Sequence, residues 1–130
     1  MDRTKLEILL EHAMNAAANA YAPYSGYKVG SAVLTEEGNI YLGCNVENAS
    51  YSLTICAERN ALFHAVCEGA KKVVAVAVYA DSENDFPPCG ACRQALNEFG
   101  PGMEVIYGNK NGYVVTDLNS LLPGAFTLTK

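Results

Sequence analysis

The sequence predicts an α/β domain in three layers, with helices on both faces of a mixed sheet of about five strands. Three observations carry that expectation. The chain opens on an amphipathic helical pattern, two short strand-like segments follow on either side of a polar turn, and Val73-Val74-Ala75-Val76-Ala77-Val78-Tyr79 lies between two segments of helical character. So continuous an apolar run belongs to a central strand covered on both faces.

Residues 3–20 place Leu6, Leu9, Leu10, Ala13, Met14 and Ala17 at helical spacing, with Lys5, Glu7, Glu11, Asn15 and Asn19 opposite. Thr4 and Glu7 have the spacing of a capping box, and Asp2 competes as the N-cap. His12 falls among the polar positions, as a surface residue does. Pro23 and Gly26 break this helix, the first by disfavouring helical geometry before it and the second by permitting a turn. Strands are expected at 27–34 and 40–44, paired antiparallel across the turn at 36–39. A second helix at 57–69 buries Ala61, Leu62, Ala65 and Val66 and stops at Gly69. The apolar strand spans 72–80, and a polar loop, 81–88, leads through Pro87-Pro88 into a third helix ending near Phe99-Gly100-Pro101. Further strands at 103–107 and 113–115 flank a turn at 108–112, and a short helix at 117–122 precedes Pro123-Gly124. Beyond the first two strands, helical crossovers are expected to join the sheet.

The 130 residues, 50% of them hydrophobic, are enough for one domain, 1–130, with a real core. A net charge of −5 argues against a surface that grips nucleic acid, which needs clustered Lys and Arg. No apolar run approaches the ~20 residues of a membrane span, and the amphipathic amino terminus is unlike a signal peptide. Five cysteines, an odd number, fit a reducing compartment, so the cytoplasm is expected. Cys44 and Cys67 are expected as small buried hydrophobes.

The chemistry is concentrated in Cys56-Ala57-Glu58-Arg59 and Pro88-Cys89-Gly90-Ala91-Cys92. Cys89 and Cys92 can close on one metal ion, and Cys56 can join them if both segments start helices. Three protein ligands leave a tetrahedral ion one open position, which separates a catalytic zinc from a structural one. Glu58, two residues past a ligand, can stand beside the metal and handle the protons of its water. A lone C-x-x-C is shared with redox dithiols and zinc knuckles; the paired pattern narrows the choice. Three thiolates around a dication leave a net negative charge. Arg59 is the residue to offset it by donating to ligand sulfurs, a surface salt bridge being its plainer role. In Asn45-Val46-Glu47 the polar side chains share one face of an extended segment and can grip the hydroxyls of a sugar, or else form the solvated face of a strand end.

These motifs, with Tyr24-Ser25-x-Tyr27-x-Val29-Gly30, Asn45-Val46-Glu47-Asn48-Ala49-Ser50-Tyr51, Arg93-Gln94 and Leu122-Pro123-Gly124-Ala125-Phe126, resemble the small homotetrameric, zinc-dependent cytidine deaminases over residues 3 to 127. The resemblance implies one zinc per subunit on Cys56, Cys89 and Cys92, with Glu58 carrying protons between water, the pyrimidine N3 and the departing amine. It makes Asn45 and Glu47 the ribose-binding pair, sets Tyr27 in the base pocket where Phe is commoner, and has the backbone at Ala57 and Cys89 hold the base edge. It also implies that Tyr51 and Phe126 reach a neighbouring subunit's active site, although either aromatic taken alone suggests core. The expected activity is hydrolytic conversion of cytidine and deoxycytidine to uridine and deoxyuridine with release of ammonia, as in pyrimidine salvage. A deaminase for another aminopyrimidine nucleoside, such as a blasticidin-type antibiotic, shares the cysteine motifs. A non-catalytic zinc module would close the metal with a fourth ligand, for which neither His12 nor His64 is suggestively placed. Polynucleotide editing is disfavoured by the acidity.

Overall fold

Asp2 starts the first helix. Its carboxylate accepts from the Lys5 amide at 2.8 Å, so the cap is one Asp side chain and not the Thr4/Glu7 box. Helix α1 (Arg3–Ala17) ends three residues short of the expected 20, where the amides of Asn19 and Ala20 tighten onto the carbonyls of Ala16 and Ala17. Leu6, Leu9, Ala13 and Ala17 are buried against the sheet, but Met14 is exposed. The buried stripe runs through 6, 9, 13, 16 and 17, and Met14 lies just past its edge. The structure, a computed structural model, describes residues 1–128; the last two residues of the expected 1–130 domain lie outside the described residues.

Strands β1 (Val29–Thr35) and β2 (Ile40–Cys44) pair antiparallel from Gly30 opposite Cys44 to Leu34 opposite Ile40. Strand β1 begins two residues later than expected because the Asn45 side chain occupies the backbone there, donating to Tyr27 O and accepting from Val29 N. A 3-10 turn, Tyr51–Leu53, precedes helix α2 (Ala57–Cys67), and Gly69, at φ +97°, takes the left-handed position after it. Strand β3 (Val73–Ala80), helix α3 (Gly90–Asn97), strands β4 (Glu104–Asn109) and β5 (Gly112–Asp117), and helix α4 (Leu118–Leu121) complete the order.

The five strands form one sheet in the order β2-β1-β3-β4-β5. Strand β1 is antiparallel to both neighbours, β3 and β4 are parallel, and β5 returns antiparallel to β4. Helical crossovers therefore join β2 to β3 and β3 to β4. The expected crossover does not extend to β5, because the turn after Asn109 closes a hairpin instead.

Two buried clusters mark the two faces. Leu6, Leu9 and Ala13 of α1 pack on Ala32, Ala75, Ala77 and Ile106, while Ala61, Leu62 and Ala65 of α2 and Leu96 of α3 pack on Val33, Val76, Val78 and Val105. The alternation along β3 sends alanines to one helix layer and valines to the other, as two-sided burial requires. Val66 is exposed, contrary to its expected place in the α2 core face. Cys67 is also exposed and Cys44 half-buried, so neither is the buried small hydrophobe expected; Cys67 closes α2 at its end, beyond the part that packs on the sheet. His12 is half-buried.

The helices sit close to the sheet because glycines let them. A Cβ on Gly30 would lie 1.9 Å from Ala13 O, and one on Gly43 2.2 Å from Ala61 N and 2.6 Å from Ala57 O. Strands β2 and β3 run the same way, both antiparallel to β1, so α2 and α3 begin at the same edge of the sheet. Among the described residues, no helix is long and apolar enough to cross a membrane.

Candidate active site

The two helix starts bring the motifs together. Cys56 is the N-cap residue of α2, Cys89 is the N-cap residue of α3, and Cys92 lies in the first turn of α3 and is fully buried. Their three sulfurs lie within 4.8 Å of one another, and Cys56 and Cys89 are 3.7 Å apart. Tetrahedral zinc with sulfur at about 2.3 Å spaces its ligands about 3.8 Å apart, so the donor set fits that ion in both chemistry and size. Unpaired amides at both helix starts add positive partial charge where thiolate charge would accumulate.

Arg59 stands behind this cluster and donates from Nη2 to Cys56 Sγ at 3.6 Å. The sulfurs of Cys56 and Cys92 raise the pKa of its guanidinium. Hydrogen bonding, from Cys92 above all and then from Arg59, draws the Cys56 thiol down to about 5 against the opposing effect of burial. The Cys92 thiol moves up, held as the donor to Cys56 and buried besides. Glu58, in the first turn of α2, is 4% exposed, and burial pushes its carboxyl up to about 7, with the charge of Cys56 adding to the shift.

A cleft of about 260 Å³ opens over the cluster, and Tyr27, Asn45, Glu47, Cys56, Ala57, Glu58 and Cys89 all line it. Asn45 and Glu47 are 8% and 9% exposed, so they are not the solvated face of a strand end. Val46 between them is exposed and bridges Tyr21 and Ile55, which keeps the segment extended and its neighbours on one face. Glu47 Oε1 accepts from the amides of Tyr24 and Ser25, and Oε2 accepts from the Ser25 hydroxyl, which holds the carboxyl below its usual range. Ser25 Oγ in turn accepts from the Tyr27 amide at 3.0 Å. One hydroxyl thus ties the carboxylate on one wall to the aromatic residue on another.

The structure separates the remaining residues. Tyr51 lines an adjoining recess of about 330 Å³ that shares Ser25, Glu47 and Thr54 with the cleft, and its ring meets Tyr24 edge-on at 6.0 Å. Phe126 is outside the cleft of its own chain, with its carbonyl accepting from Gln94 Nε2. Neither aromatic is core: they are 75% and 66% exposed. His64 lies against Leu42 O and the Tyr41 ring, away from the sulfurs. Among the described residues, the three cysteines are the only group of three or more His, Cys, Asp or Glu side chains gathered closely enough for a metal.

Ser25, Thr54, Phe86 and Pro87 also line the cleft, and none of them was assigned a role in the site from the sequence. Phe86 packs on Tyr27 with ring centroids 5.0 Å apart. A lone aromatic in a polar loop, directly before the Pro-Pro-Cys that enters the metal cluster, was the available signal for it.

A family model for the cytidine and deoxycytidylate deaminase zinc-binding region matches residues 3–109. The chain is 49% identical to the cytidine deaminase of Halalkalibacterium halodurans over 129 residues, 98% of this chain and 96% of the relative. It is 48% identical to that of Sporosarcina psychrophila, over 94% of this chain and 91% of the relative. The crystal structure of a cytidine deaminase from Burkholderia pseudomallei superposes with a TM-score of 0.88 at 45% identity, covering 97% of this chain and all of the other.

Proposed function

This chain belongs to the cytidine and deoxycytidylate deaminase family, and on that footing we propose which of its residues carry out zinc-dependent hydrolysis of the cytidine amine. The protein is a cytidine deaminase in activity: cytidine and water give uridine and ammonia, and deoxycytidine likewise gives deoxyuridine. Zinc is its cofactor. Cys56, Cys89 and Cys92 would hold the ion as thiolates, and bound there it would make a water acidic enough to serve as nucleophile near neutral pH.

Glu58 moves the protons. Its carboxylate takes one proton from the attacking water and delivers it to N3 of the pyrimidine as the oxygen bonds to C4; it then takes the second proton from that C4 hydroxyl and delivers it to the amine, so that the C4–N bond breaks, ammonia leaves and C4 keeps a carbonyl. Its burial beside the cluster keeps bulk water from competing for that proton. Asn45 and Glu47 bind the ribose hydroxyls; the amide of Asn45 is pinned by β1 and the carboxylate of Glu47 by the Tyr24-Ser25 turn, so both meet the sugar already oriented. Tyr27 packs on the base, and the backbone at Ala57 and Cys89 holds its edge. Arg59 drains charge from Cys56.

The lining also supports a nucleoside over a nucleotide. Among the described residues the cleft and its adjoining recess are lined by no Lys or Arg that could pair with a phosphate, and the carboxylate of Glu47 adds negative charge to the lining of both. The exposure of Tyr51 and Phe126 supports the further proposal that four copies assemble, with these aromatics completing a neighbour's pocket, each chain acting as one catalytic domain. A cluster of reduced thiols supports the cytoplasm as its place of work.

The observation that carries this reading is the buried Glu58 lying in one cleft with two of the three clustered sulfurs and the Asn45–Glu47 pair. The test is ammonia release from cytidine by protein of measured zinc content, beside deoxycytidylate and a blasticidin-type antibiotic. Cytidine is the expected substrate. Turnover of either competitor at a higher kcat/KM would reject the assignment.

A further inference from the structure

The hairpin between β4 and β5 reaches across to the polar loop at 81–88. Lys110 N donates to Ser82 O at 3.0 Å. Asn109 Nδ2 lies 3.0 Å from both Asn84 O and Asp85 Oδ1, with Glu83 O at 3.5 Å. An amide nitrogen has two hydrogens, so the two nearer acceptors take them and the third contact is marginal. Asn109 Oδ1 is meanwhile occupied by the Asn111 amide at 2.8 Å. Every polar atom of this side chain is thus engaged, and its orientation is fixed: a flipped amide would set its oxygen against three acceptors. The Lys110–Asp81 ion pair, 3.5 Å long and more than half exposed at both ends, adds little.

The loop this amide holds is the one that carries the cleft wall. Phe86 follows Asp85 directly, and its ring meets Tyr27, while Pro87 lines the cleft beside it. The loop has no strand ladder or helix of its own; Asp81 N donates to Lys28 O and Ser82 N to Ala80 O at its start, Asn84 N donates to Ser82 Oγ within it, and Asn111 Nδ2 of the same hairpin makes a marginal 3.5 Å contact with Glu83 O. Asn109 is therefore the residue from outside the loop that makes short hydrogen bonds to Asn84 and Asp85, immediately before Phe86.

We infer that Asn109 is a positioning residue for the nucleoside: it pins residues 83–85 and so holds Phe86 against Tyr27 as a preformed wall for the pyrimidine ring. The inference rests on the reading of the cleft as the cytidine site. A wall already in place when substrate arrives contributes to binding in ground state and transition state alike, so its loss raises KM and leaves kcat nearly unchanged.

Asn109→Asp separates this role from a merely structural one. The variant keeps the Oδ1 that accepts from Asn111 N, and hence the hairpin turn, but replaces the donor with an oxygen facing two carbonyls and the Asp85 carboxylate. In zinc-loaded protein it should raise KM for cytidine roughly 10-fold with kcat within about 2-fold, and should speed amide hydrogen exchange across 81–88 and not along β3. Adding Asp85→Asn restores one donor–acceptor pair with the roles reversed, and should recover most of both effects. An Asn109→Asp protein with parental KM and parental exchange would overturn the inference, as would faster exchange with KM unmoved, or a loss confined to kcat. If the parent protein did not turn over cytidine, the assigned activity would fall. The exchange contrast would then decide the clamp alone: faster exchange in the single variant with recovery in the double supports it, and no contrast overturns it.

Discussion

Gly43→Ala tests whether the seat of α2 on the sheet sets the active-site geometry. Gly43 lies in β2, far in sequence from Cys56 and Glu58, and its backbone has no positive φ that would confuse the result. The methyl added there would lie 2.2 Å from Ala61 N, 2.6 Å from Ala57 O and 2.8 Å from Ala61 Cα, and all three are helix backbone that cannot rotate aside. Ordinary contact begins near 3.4 Å, so α2 must retreat by roughly 1 Å where it carries Ala57, between a metal ligand and the proposed base. Overpacking of this kind costs about 1–3 kcal/mol, a fall of roughly 4–12 °C in Tm for a chain of this size. A displacement of about 1 Å at the reacting groups is worth about a hundredfold in rate. The assay is ammonia release from cytidine, normalised to bound zinc and to folded protein, alongside a thermal melt. A drop of about two orders of magnitude in kcat/KM is expected. A variant with a lowered Tm and parental kcat/KM would refute the link between helix seating and catalysis, and one unchanged in both would refute the packing argument itself.

Glu58→Gln should keep zinc content and fold while losing turnover by about 10²–10⁴, the range for removing a positioned proton carrier; near-parental kcat at full zinc loading would take Glu58 out of the proton path. Ser25→Ala removes the donor that holds the Glu47 carboxyl low and the acceptor for the Tyr27 amide, so KM for cytidine should rise roughly 10-fold, measured at fixed zinc. The same change has a pH signature. A carboxyl with a depressed folded pKa contributes stability above its unfolded value, near 4.5, and that contribution is lost as pH falls through the folded value. In zinc-free protein the parent's Tm should therefore fall more steeply below about pH 4.5 than that of Ser25→Ala; parallel curves would show that the bond does not hold the carboxylate. Chelation should abolish turnover and lower Tm, with activity returning in proportion to zinc up to one ion per chain. Recovery that saturates at a different stoichiometry would contradict the three-sulfur site.

The sheet and the metal cluster were legible because each rests on a local pattern with one physical meaning. The unbroken Val/Ala run could only be a covered strand, and β3 does lie between β1 and β4. The two-residue spacing of Asn45 and Glu47 also survived, since Val46 is turned outward between them. Met14 and Val66 were misread for one reason: helical spacing marks the centre of an apolar stripe well but not its edge, where one step of about 100° decides between sheet and solvent. Cys67 failed differently, because a small thiol was judged buried by composition alone, although Gly69 already marked the helix as ending two residues later. Ser25, quoted only as part of a motif, and Phe86 were given no role in the site because each touches a residue brought beside it only by the fold, Glu47 in one case and Tyr27 in the other.

The placement of the site follows from strand direction more than from any single motif. Strands β2, β3 and β4 all run the same way, since β2 and β3 are antiparallel to β1 and β4 is parallel to β3. Their carboxyl ends therefore share one edge, and the chain leaving β2 and β3 there must begin its return helix at that edge, with unpaired amides directed outward. Cys56 and Cys89, as the two N-cap residues, meet there as a consequence of the crossovers. The amino end of the antiparallel β1 falls at the same edge and brings Tyr27 and the turn that holds Glu47, while the carboxyl end of β4 brings Asn109 to the loop bearing Phe86. A sheet with β1 parallel to its neighbours would have put Tyr27 and Ser25 at the opposite end. The sulfurs could still have gathered, but without the aromatic wall and the fixed carboxylate proposed to receive the base and the sugar.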